Sequence, residues 1–101
     1  MNKNTITLLI IGLTSLYGQN LTIQEARQEF GNTVTTSGVV TTTNLASSGQ
    51  SDFAIQDETA AIIIYNGDFD AGLSMGDLVT VTGEIINYNG KLEIVPGVET
   101  D

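Results

Sequence analysis

A chain of 101 residues bounds the molecule at one domain, and its 41% apolar content is enough for a small core. Three Lys+Arg against twelve Asp+Glu give a net charge of -9. Such a surface repels phosphate backbones unless the few cations are gathered in one place, and nothing in the linear sequence gathers them. Without His or Cys the chain cannot build a Ser-His-Asp triad, a thiol nucleophile, a His-ligated metal, a disulfide or a lipidated Cys. No cofactor is implied, and catalysis would fall to carboxylates alone. Adjacent Asp57 and Glu58 face opposite ways if extended and form no pair across a cleft, so the expectation is a protein without catalysis.

Residues 1–18 read as a separate object. "MNKN" carries Lys3, and "TITLLIIGLTSLYG" is apolar but shorter than the about 20 residues of a spanning helix. That is the shape of a secretory signal peptide, with cleavage expected near Gly18–Gln19; the alternative is a buried N-terminal strand or helix. Export implies a secreted or periplasmic location with no stable membrane anchor. Loss of Lys3 would leave Arg27 and Lys91 against the same twelve acids, or -10. The remaining domain, 19–101, lies near the lower size limit for an independent core.

"LTIQEARQEFGN" opens that domain. Thr22 and Glu25 have capping-box spacing and Gly31 can close the element, so the spacing predicts a helix over Ile23–Glu29 with Ile23, Ala26 and Phe30 facing inward. Everything after it reads as strand. "TVTTSGVVTTTN" sets Val34, Gly38 and Val40 on one parity amid β-branched Thr. "TTTNLASSGQS" (Thr41–Ser51) reads as a flexible connector. "DFAIQD" alternates, "AAIIIY" is apolar on both faces, and "GDLVTVTGEIINYNGKLEIV" holds two strands joined at Asn89-Gly90, a hairpin signal. Phe53, Ile55, Ile62 and Ile64 are expected inside. Ala54, Gln56, Ile63 and Tyr65 are expected to share the outer face, and the Asp57-Glu58-Thr59 turn should carry solvated acids. "VTTSGVVTTTN" and "VTVTGEIINYN" align on Gly38 and Gly83. A mid-strand glycine is otherwise costly, and two such strands suggest bending between two sheets of a small closed barrel.

The order "VTTSGVV", "FAIQDETAAIIIY", "LSMGDLVTVTGEI" and "NGKLEI" resembles the oligonucleotide/oligosaccharide-binding (OB) fold, written V-x-V-x-G-x-V, F-x-I-x-D-x-T-G-x-I-x-V and G-D-x-V-x-V-x-G. The leading "TIQEAR" and "IQD" are similar to OB domains of exported bacterial proteins, many joined to nucleases. The resemblance covers Leu21–Val95. It implies an all-β, five-stranded barrel preceded by one short helix, whose outer face and loops are a ligand platform. Where related domains carry an aromatic and Gly-Gly, this sequence has Ala54 and Ala60-Ala61. On the platform, Gln56, Ile63, Tyr65, Tyr88 and Lys91 are the candidate ligand-binding residues. Tyrosines would stack bases, and Lys91 would meet a phosphate. The implied partner is single-stranded nucleic acid, beside a nuclease domain of a larger or truncated polypeptide; a glycan or a protein is the alternative.

A second candidate lies in "NGDFDAG". Asn66, Asp68 and Asp70 alternate, and Asp77 falls at the twelfth position of a calcium loop. Ala71 stands where that loop needs glycine and no bidentate Glu follows, so a solvated acidic loop without metal is the expectation.

Overall fold

The computed structural model describes residues 20–97, and of residues 5–8 the backbone path. Among the described residues, seven strands and one short helix make an all-β arrangement: β1 Thr5–Leu8, β2 Asn20–Leu21, α1 Ile23–Ala26, β3 Thr33–Val40, β4 Ser51–Gln56, β5 Ala61–Asn66, β6 Leu78–Tyr88 and β7 Lys91–Val95. The strand count is seven rather than five. The two additions are short parallel strands, β1 on Leu78–Val81 of β6 and β2 on Thr35–Thr36 of β3. The first finds room because β6, at eleven residues, is longer than its neighbours. Strand β3 covers one of its edges over Leu78–Glu84, and β7 covers the other only from Glu84 to Tyr88. The leader expected over 1–18 lies outside the described residues except at Thr5–Leu8, and so does its cleavage point.

Strands β3, β4, β5, β7 and β6 pair successively, and β6 pairs again with β3, so the ladder returns on itself. All these pairs are antiparallel except β5–β7, which is parallel. Two glycines sit where a strand changes partner. Gly38 lies beside Val39, where β3 passes from β6 to β4, and Gly83 lies beside Glu84, where β6 passes from β3 to β7. The backbones close in tightly there. A Cβ on Gly83 would stand 2.6 Å from the Val95 carbonyl, and one on Gly38 would stand 2.9 Å from both Gln56 O and Ile23 Cδ1. These glycines are required by close approach, since neither has a positive φ.

Period-two alternation fills the interior as the sequence predicts. Phe53, Ile55, Ile62 and Ile64 are buried, joined by Val40, Val79, Val81, Ile85 and Ile94 from the other strands. On the opposite parity Thr35 pairs with Thr82 and Ser37 with Thr80 through hydroxyl contacts of 2.7 and 2.8 Å, so the polar side of "TVTTSG" is spent on cross-strand bonds. The Asn89-Gly90 hairpin forms with φ of 54° and 89°, values that suit Asn-Gly.

The helix is shorter than expected. It stops at Ala26, after which Gln28 and Glu29 make tighter i→i−3 bonds to Glu25 and Ala26. That change of winding carries Phe30 off the inner face, and it is 67% exposed, whereas Ile23 and Ala26 are fully buried. The turn Asp57–Thr59 is also not idle. Asp57 accepts the Ile23 amide at 2.9 Å with one oxygen, and the Thr59 and Ala60 amides and the Thr59 hydroxyl with the other. Thr59 Oγ1 accepts the Gln24 amide at 3.1 Å, while Thr22 and Glu25 complete a reciprocal capping box. Every orphan donor at the helix start therefore has a partner, two of them from a distant turn.

The segment Thr41–Ser51 is tied down rather than free. Thr41 N and Leu45 N donate to Ala54 O and Asp52 O, continuing along β4. Asn44 Oδ1 accepts the Ala46 and Asp52 amides while its Nδ2 donates to Gln50 O. One asparagine thereby closes the loop on itself.

Candidate functional site

The outer face of β4, β5, β7 and the end of β6 is a shallow concavity. Register places Ala54, Ile63, Glu93 and Ile86 in one cross-strand row, with Asp52 opposite Tyr65 and Tyr88 opposite Lys91 beside it. Two adjoining hollows result, and Lys91 borders both. One, about 370 Å³, is lined chiefly by Arg27, Ala54, Ala61, Ile63, Lys91 and Leu92. The other, about 240 Å³, is lined by Asp52, Tyr65, Ile86, Tyr88, Lys91 and Glu93. Alanines at positions 54 and 61 are what leave the floor of the larger hollow low.

Four of the five candidate residues, Ile63, Tyr65, Tyr88 and Lys91, come together here, while Gln56 is exposed at the end of β4 and borders neither hollow. Tyr88 is exposed, whereas Tyr65 is half-buried with its hydroxyl against Gly67, where a Cβ would stand 3.3 Å away. The cations are gathered after all. Arg27 and Lys91 line the same hollow, because the turns after Ala26 bring Arg27 across the start of β5, where its guanidinium donates to Ala61 O at 3.0 Å. No linear motif signals that approach.

Two acids, Asp52 and Glu93, line the smaller hollow. Glu93 is only 3% exposed although it points to the outer face, and its carboxylate meets Lys91 Nζ at 3.2 Å. The hydrogen bond to Glu93 raises the Lys91 ammonium above its ordinary range against the opposing effect of desolvation, with the charges of Glu93, Asp52 and Tyr88 adding to the rise. Glu93 was readable only as one residue of an alternating strand; its neighbours come from β5 and β6.

The calcium-loop candidates do not converge. Asn66 accepts the Asp68 amide and donates to Pro96 O; Asp70 accepts the Gly72 amide, and Asp77 the Ser74 amide. Asn66, Asp70 and Asp77 each bind the backbone of their own loop or a neighbouring segment, and among the described residues no three acidic side chains are placed to share a cation. Nor is any helix among them long and apolar enough to cross a membrane.

No family model matches the chain. A curated relative does: the chain is 41% identical over 81 residues to "Endonuclease YhcR" of Bacillus subtilis (strain 168). The alignment takes in 77% of this chain and 7% of the relative, so the chain corresponds to a small part of a much longer protein.

Proposed function

We propose that this chain is an OB-type binding module without catalysis of its own, which accompanies a nuclease activity in a larger polypeptide and presents its outer face to single-stranded nucleic acid. The observation that carries the reading is the concave face on which Tyr65, Tyr88, Arg27 and Lys91 meet. The returning ladder of β3, β4, β5, β7 and β6 supports the OB reading, and the likeness to an endonuclease supports the partner. Two cations against a net charge of -9 leave most of the affinity to stacking, worth about 1–3 kcal/mol per base.

Titration with dT and mixed oligonucleotides at about 20 and 200 mM salt should give weak binding, Kd above about 10 µM, with log-log salt slopes no steeper than about -1.4 for two neutralised phosphates. Tyr65→Ala should weaken it about tenfold. Tight binding with a steep slope, or no saturable binding at either salt, removes the nucleic-acid reading. The acidic end of the face, Asp52 and Glu93 beside two tyrosines, favours a second reading in which a glycan stacks on the rings and donates hydroxyls to the carboxylates. Saturable binding of an oligosaccharide that Tyr65→Ala abolishes, with none of oligonucleotides, selects it.

We further propose export to a secreted or periplasmic location by residues 1–18, whose removal takes β1 off the edge of β6. Expressed in a bacterium with a general secretion pathway, the protein should be recovered outside the cytoplasm with Gln19 at its N-terminus by intact mass. Recovery of the Met1 form from the cytoplasm overturns this.

A further inference from the structure

Lys91 is the cation nearest the middle of the face, yet its charge is already engaged. Its partner Glu93 is almost wholly buried, held between Ile63 and Ile86 in the cross-strand row, and Asp52 lines the same hollow. A phosphate reaching Lys91 must either sit beside this buried carboxylate or draw the ammonium away and leave it unpaired, and both are unfavourable. Arg27 is under no such restraint. It donates to a backbone carbonyl, which directs the guanidinium without cancelling its charge.

We propose that Glu93 is the specificity-determining residue of the outer face: it holds Lys91 in a neutral pair and so makes the groove choose ligands by stacking rather than by phosphate charge. The proposal rests on the nucleic-acid reading above and gives it a direction. The face carries two cations in composition but one in effect. The unaltered chain should then show a salt slope near -0.7, the value for one phosphate on a single strand, rather than -1.4.

Glu93→Gln keeps the shape and the polar contact and removes the charge. With oligo-dT at about 20 mM salt it should bind about tenfold tighter, with the slope moving to about -1.4. Lys91→Gln combined with Glu93→Gln should lose that gain and return to the shallow slope, and Glu93→Asp should behave as the unaltered chain. Circular dichroism confirms that each variant keeps its β structure. Unchanged affinity and slope in Glu93→Gln overturn the proposal. Inorganic phosphate, followed at the Lys91 side-chain NMR signal, separates this from failure of the nucleic-acid reading; Lys3 is the only other lysine. If neither protein binds oligonucleotide, that reading falls. The lock still stands if phosphate shifts Lys91 at several-fold lower concentration in Glu93→Gln, and it falls if both proteins respond alike.

Discussion

Gly83→Val should cost about 3 kcal/mol or more, a large fraction of the stability of a domain of this size. Elsewhere in a strand, replacing glycine by a β-branched residue gains stability, because glycine forfeits about 0.5–1 kcal/mol of backbone entropy. The sign reverses at Gly83 because the new Cβ would stand 2.6 Å from Val95 C and O and 2.8 Å from Pro96 N. Those are backbone atoms at the end of β7 and just past it, and they cannot swing aside. Gly83→Ala should already cost about 2 kcal/mol. Gly38→Ala should be milder, since one of its near neighbours is the end of the Ile23 side chain. Urea denaturation followed by circular dichroism ranks the three. A Gly83→Val variant as stable as the unaltered chain would mean that β6 and β7 do not meet as described.

Asp57→Ala should cost about 2–3 kcal/mol, since it strips one carboxylate of four donors, two from the turn backbone, one from the Thr59 hydroxyl and one from the first residue of α1. Asp57→Asn should lose about half as much, because one oxygen can still accept from the turn. The loss depends on pH. Burial acts to raise the Asp57 carboxyl, but the Thr59 hydroxyl and the Ile23, Thr59 and Ala60 amides outweigh it and hold the pKa at about 2, against an ordinary 3.8. A depressed folded pKa contributes stability that is fully present above 3.8 and is lost as pH falls through about 2. The gap between the unaltered chain and Asp57→Ala should therefore be constant from pH 7 to about 5 and shrink toward pH 2. A gap that does not change over that range would show that Asp57 is not ionised in those bonds.

The sequence made the local regularities visible. Alternation put Phe53, Ile55, Ile62 and Ile64 inside, and Asn89-Gly90 announced its own turn. Gly38 and Gly83 were recognisable as special because glycine is poor in a strand, although the reason proved to be a neighbour's backbone. What was hidden depends on residues far apart. Asp57 looked like a solvated turn acid because one of the three amides it binds lies 34 positions earlier. Phe30 looked buried because a regular helix was extended past Ala26, where the winding tightens. Tyr65, Tyr88 and Lys91 could be placed on one face by parity. Arg27 and Glu93 could not join them before the parallel β5–β7 pairing and the course of the chain after α1 were known.

The joint between α1 and the Asp57–Thr59 turn also makes the helix dependent on a distant hairpin. A helix of four residues is far below the length at which helices persist alone in water. Two of its first amides have no partner until the β4–β5 turn has closed. Although α1 precedes β4 and β5 in the chain, its first turn depends on their pairing, so a change that opens the β4–β5 turn should also unwind α1.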